Sequence, residues 1–237
     1  YPLSMMQTAM LYHMEMTPDS RAYINVNSWH LRAPFDAEAL REVVCQVVGR
    51  HAILRTSFDL TRYSKPLQLV HRHAEVLLEV NDLRHLSHDE QEEVIQEFLR
   101  ELRRQMFDFS RPLQMSFYVH RRADDSFQFS IAENHAILDG WSTTSTLVEF
   151  AERYIALLAG EETPVQLPPA VSYRDFINLE LTTLASEETQ QYWADQLRDA
   201  TPARLPYVAQ GAVAFTSQRV EKVQLYHDDE VYEGLRR

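Results

Sequence analysis

One histidine and one carboxylate stand four residues apart in Asn134-His135-Ala136-Ile137-Leu138-Asp139-Gly140-Trp141-Ser142. An imidazole titrates near pH 6.5, about where a proton can be exchanged at neutral pH. His135 is therefore the first candidate for chemistry: a general base, a group that positions an amine, or a donor to a tetrahedral intermediate. Residue types alone leave these three roles open. Asn134 can donate and accept hydrogen bonds but cannot become cationic. Asp139, four residues on, need not contact His135 as a catalytic-triad carboxylate would. Its expected place is buried and paired with an arginine, with Arg55 the first candidate, because an unpaired buried carboxylate is costly. Gly140 is expected to supply a positive-φ backbone and open space. Trp141 and Ser142 are expected to pack and cap the element that follows.

The flanking pattern says how the loop is held. Ser126-Phe127-Gln128-Phe129-Ser130-Ile131-Ala132 alternates as a strand does. Leu147, Val148, Ala151, Tyr154, Ile155 and Leu158 recur at helical spacing, with Gly160 as C-terminal stop. His135 thus lies where a strand has ended and a helix has not begun, a common place for reactive groups.

Other constellations are weaker. His71-x-His73 and His85-x-x-His88 lack a convincing third ligand and read as exposed histidines. Ser4 and Ser142 lack the context of a hydrolase nucleophile. Five glycines in the whole chain leave no phosphate-binding loop.

The nonamer resembles the HHxxxDG signature of nonribosomal peptide synthetase condensation domains, members of the chloramphenicol-acetyltransferase-like acyltransferases. Tyr1-Pro2-Leu3-Ser4-Met5-Met6-Gln7 with Met10-Leu11-Tyr12-His13 resembles that family's opening motif. Arg50-His51-Ala52-Ile53-Leu54-Arg55-Thr56-Ser57-Phe58 resembles its RHxxLRTxF motif, and Ser172-Tyr173-Arg174-Asp175-Phe176 its YxDF motif. Four motifs in order are specific together. The resemblance implies that His135 is the residue associated with amide formation and that Asp139 is structural, with Gly140 beside the substrate channel. The chain departs at the first histidine, replaced by Asn134. The same loop argues against a metal held by Glu133, His135 and Asp139.

The charge of -12 argues against a nucleic-acid binder. No apolar run approaches a membrane span, and residues 1–16 do not read as a signal peptide. The lone Cys45 is expected as a small core residue in a reducing, cytoplasmic setting. Opening at Tyr1 rather than Met is expected of a piece of something longer.

Helices and strands mix. Residues 23–32, 54–60, 66–72 and 113–122 read as further strands, the last forming an antiparallel hairpin with 126–132. Asp36 is a candidate N-cap for a helix carrying Leu40, Val43, Val44, Val47 and Val48. Ser87 and Glu90 form a capping box for a helix whose apolar face holds Val94, Ile95, Phe98, Leu99, Leu102 and Met106. Ser172 with Asp175 caps another, residues 186–198 form a further helix, 200–217 a linker, and 218–226 a strand. The class is α/β with a mixed, largely antiparallel sheet flanked by helices. By resemblance, residues 1–178 are the N-terminal lobe of a two-lobed domain, and 179–237 the crossover helix, linker and beginning of the second lobe. Such a domain joins a carrier-bound acyl or peptidyl thioester to an aminoacyl acceptor. It needs no cofactor of its own, since the phosphopantetheine arms belong to carrier proteins upstream and downstream, with adenylation domains nearby. An ester product, a free amine acceptor, or a non-catalytic interaction module are the alternatives. Arg100, Arg103, Arg104, Arg121 and Arg122 read as a carrier-docking patch or, more simply, as a solvated face.

Overall fold

The computed structural model describes residues 1–17, 22–161, 167, 169–201 and 234. Its first compact unit runs from Tyr1 to Gln196. Helix α1 (Met5–Met16) leads to strand β1 (Ile24–Arg32), helix α2 (Ala37–Arg50), a short 3-10 turn (Ala52–Arg55), and strands β2 (Thr56–Asp59), β3 (Leu67–Val70) and β4 (Leu78–Asp82). Helix α3 (His88–Leu102), strands β5 (Met115–Arg121) and β6 (Ser126–Asn134), and helices α4 (Gly140–Leu158), α5 (Tyr173–Ala185) and α6 (Glu187–Leu197) follow. The expected boundary at 178/179 falls within α5. The linker expected over 200–217 lies outside the described residues from residue 202 onward, as does the strand expected over 218–226.

Four strands form one sheet in the order β1-β6-β5-β4. β6 pairs antiparallel with both β1 and β5, whereas β4 lies parallel to β5. The class is α/β with a mixed sheet, and α3 makes the long crossover that a parallel pair requires. A separate ribbon pairs β2 with β3.

Alternation along the strands divides the core between two faces. Phe117, Val119, Phe127, Phe129 and Ile131 pack with α2 and with Phe150 and Tyr154 of α4. Tyr118 and Ala132 face the other way, against Ile95, Leu99 and Leu102 of α3. The five aliphatic residues predicted for α2 are all buried, and Asp36 caps it by accepting from the Glu38 and Ala39 amides. Both faces of β6 are covered, so its polar residues need partners. Gln128 donates to Ser28 at 2.8 Å, and the Ser28 and Ser130 hydroxyls meet at 2.7 Å.

Several expectations are corrected. Residues 52–55 turn as a 3-10 helix, so the strand begins only at Thr56. Cys45 is exposed, on the outer side of α2 rather than in the core. In α3, Val94 faces solvent, and Met106 lies beyond the helix end and is exposed. No described helix is long and apolar enough to cross a membrane.

Candidate active site

His135 leaves β6 just after the last paired residue. Its amide donates to the Tyr23 carbonyl at 2.8 Å, fastening the loop to the start of β1. Asn134, fully buried, folds the turn from inside. Its Oδ1 accepts from the Ala136 amide at 3.1 Å, its Nδ2 donates to Gln114 Oε1 at 3.3 Å, and its backbone carbonyl accepts from the Ile137 amide. Gln114 is itself fixed by donating to the carbonyls of Asp108 and Arg111. Asn134 thus braces the turn through three hydrogen bonds, without a charge.

Asp139 is a correction. It is exposed and makes no ion pair with Arg55. Instead it is the N-cap of α4, accepting from the Ser142 amide at 2.7 Å. A carboxylate at a helix N-terminus also meets the positive end of the helix dipole. The Ser142 hydrogen bond holds the Asp139 carboxyl below its ordinary range. Arg55 serves the neighbouring wall: its guanidinium donates to the carbonyls of Val48, His71 and Arg72. Such a fork, pinned by three backbone oxygens, is a rigid strut between α2 and the residues after β3.

Gly140 is the first residue of α4 and does not have positive φ; among the described glycines Gly160 does. A Cβ at Gly140 would meet open space, so the opening expected there is present. Trp141 does not pack onto the helix, being 84% exposed. Ser142 contributes its amide to the Asp139 cap and its carbonyl to the Thr146 hydroxyl.

His135, Asp139 and Ser142 border a cleft of about 590 Å³ in the first compact unit, with Gln7, Arg55 and Tyr173 from the other motifs on its walls. The four motifs, spread over 170 residues of sequence, therefore converge on one wall system. Gln7 belongs to the Ser4/Gln7 capping box of α1 and donates to the Ala136 carbonyl at 3.1 Å, tying the opening motif to the histidine loop. Burial pushes the Tyr173 hydroxyl up.

The sequence reading missed a buried polar cluster behind the histidine. Asn25 Nδ2 lies 2.9 Å from His135 Nδ1 and 3.4 Å from Glu133 Oε1. The Thr143 hydroxyl donates to the same Oε1 at 2.8 Å, and Glu133 Oε2 has no partner. Burial pushes the Glu133 carboxyl up, against the opposing effect of Thr143 and Asn25. A polar residue at Asn25, in a strand otherwise facing the core at its start, was the available signal.

The five arginines offered as a docking patch are mostly satisfied by acids or carbonyls close by. Arg100, Arg104, Arg121 and Arg122 pair with Glu97, Glu101, Asp124 and Glu92, and Arg103 donates to the Leu99 carbonyl. Arg100 and Arg104 are solvated, whereas the Arg122 side chain is buried. Among the described residues no three His, Cys, Asp or Glu side chains converge on a metal position.

Residues 1–237 match the condensation domain family. The chain belongs to that family. The AMB antimetabolite synthetase AmbE of Pseudomonas aeruginosa is 34% identical over 212 residues, covering 89% of this chain and 10% of the synthetase. Surfactin synthase subunit 3 of Bacillus subtilis is 27% identical over 99% of this chain and 18% of its own. The starter condensation domain of the rhizomide synthetase RzmA superposes with a TM-score of 0.73 at 18% identity, over 86% of this chain and 51% of that one. The first condensation domain of the calcium-dependent antibiotic synthetase gives 0.71 at 19% identity. The chain thus has the condensation domain fold over about half the length of those solved domains, and spans a small part of its multidomain synthetase relatives.

Proposed function

We propose that this chain supplies the histidine-bearing lobe of an amide-forming condensation domain, with residues 1–178 as that lobe and 179–237 as the crossover and start of the second. The donor is an acyl or peptidyl thioester on an upstream carrier, and the acceptor an aminoacyl thioester on a downstream carrier. The acceptor nitrogen attacks the thioester carbonyl, the tetrahedral intermediate collapses, and the pantetheine thiol leaves. Both arms arrive with the carriers, so no cofactor belongs to the domain.

The observation that carries this reading is the placing of His135 on a cleft by a loop braced from behind, with residues of all four motifs on the same walls. A preorganised imidazole costs nothing to orient when the substrates meet. Asn134 does not weaken the reading, because its side chain is spent on the Ala136 amide and Gln114 rather than on the cleft.

The test is acyl transfer between two loaded carrier proteins, followed by intact mass, using the complete condensation domain that contains this chain. Wild type should form amide product, and His135→Ala should lose about 10²- to 10⁴-fold in rate. Equal product from both would remove His135 from the mechanism.

A further inference from the structure

The contact between Asn25 and His135 bears on which of the three roles the ring can play. A carboxamide presents either its NH2 or its oxygen to a neighbour, and the two differ by a flip. Here the flip is decided by Glu133. The end of Asn25 that meets His135 Nδ1 at 2.9 Å also meets Glu133 Oε1 at 3.4 Å. An oxygen at that end would face the lone pairs of Oε1, whereas NH2 has one hydrogen for each partner. Thr143 holds Oε1 in place at 2.8 Å. Protonation of Glu133 would not change this, because Oε1 already accepts from Thr143 and the acid proton would sit on Oε2, the oxygen that has no partner.

An imidazole nitrogen that receives an N–H must offer its lone pair. Nδ1 is therefore unprotonated, and the neutral ring carries its hydrogen on Nε2. Nε2 makes no hydrogen bond with another described residue, and His135 borders the cleft. We infer that Asn25, oriented by Glu133 and Thr143, is a positioning residue that holds His135 as the Nε2–H tautomer, so that the ring offers the cleft a donor rather than a base.

On the amide-forming reading above, on which the catalytic half of this inference rests, the donor has a definite task. As the acceptor nitrogen bonds to the thioester carbon, the carbonyl π electrons pass to oxygen, and Nε2–H donates to that oxyanion. The C–S bond then breaks, the sulfur leaves with the electron pair, and the proton shed by nitrogen ends on sulfur. Amide and thiol form, and the imidazole finishes as it began.

The tautomer is read directly by two-bond 15N–1H correlation in the 15N-histidine-labelled chain, with His135→Gln to assign the ring. Wild type should carry a proton on Nε2 and none on Nδ1. Asn25→Asp, whose carboxylate only accepts, should draw the proton to Nδ1, and Asn25→Ala should leave a mixture. A proton on Nδ1 in wild type, or a tautomer unchanged in both variants, would overturn the inference whether or not the chain turns over. In the complete domain, Asn25→Asp should lower kcat by about 10²-fold with little change in KM. An equal or higher kcat would overturn the donor role while leaving the amide-forming reading to the His135→Ala comparison. Should the aspartate variant fail to fold, the alanine variant carries the tautomer test alone, since its change has no structural equivalent.

Discussion

Glu149 Oε2 lies 2.7 Å from Nε2 of His51, and the same carboxylate holds Arg50 at 2.8 Å and Arg153 at 3.0 Å. One acid on α4 therefore ties together three basic side chains at the end of α2 and within α4, beside the wall that carries Arg55.

That arrangement predicts an acid limb in stability. Burial alone would raise the Glu149 carboxyl, but the hydrogen bond and charge of His51, with Arg153 and Arg50, bring it below its ordinary value. A carboxyl lowered on folding contributes stability that is present above its unfolded pKa and is lost as pH falls through the lowered folded value. Glu149→Gln should cost about 2 kcal/mol at neutral pH, between exposed and buried ion pairs. It should also flatten the acid side of a Tm-against-pH curve. An unchanged curve would mean the cluster is energetically idle.

Asp139 acts as a cap, so its replacements should follow capping rules. Asp139→Ala should lose about 1 kcal/mol in urea denaturation, while Asp139→Asn, which can still accept from the Ser142 amide, should lose only a few tenths. A large loss for the asparagine variant would point instead to a charge requirement that the hydrogen bonding does not explain.

Asn134→Ala strips a buried amide of its acceptor and leaves Gln114 Oε1 without a donor, and should cost about 1–3 kcal/mol. Asn134→His should change turnover in the complete domain only modestly. A gain of several orders of magnitude would show that the native loop is poorly set for catalysis.

Phe176, Leu179, Leu181 and Leu184 are exposed along α5. Exposed apolar side chains concentrated on one helix favour association. The 237-residue chain should self-associate in sedimentation velocity and turn over poorly, and Leu179→Lys with Leu184→Lys should shift it toward monomer. Robust turnover by the monomer would contradict this.

Local chemistry was legible where it is written in neighbouring residues. The capping boxes at Ser87/Glu90 and Ser172/Asp175, the Asp36 cap and the valine stripe of α2 all formed as their spacing requires. So did the strand–loop–helix frame of His135. Helix α1 escaped notice because its apolar residues are split: Leu11 and Met14 are buried beside Gln7, while Met5, Met6 and Met16 are exposed. Strand β4 escaped because it is an edge, with Leu78 its only buried residue. Asp139 was misplaced because a buried ion pair and a helix cap use the same residue type, and only the position of the Ser142 amide distinguishes them. Asn25 was legible only as a polar residue at the start of a strand; its contact with Glu133 was not, since that depends on the register of two strands far apart in the chain.

That register has a consequence for biosynthesis. β1 pairs with β6 from Ile24 with Asn134 to Arg32 with Ser126. At about 5–20 residues per second, roughly 5–20 s of translation separate the emergence of Ile24 from that of Asn134. Through that interval β1 has no β6 to meet, and the Asn25 amide is without its imidazole. The candidate site is therefore closed by a late, long-range event, so ribosome-bound chains halted before residue 126 should carry a sticky, unpaired β1 strand.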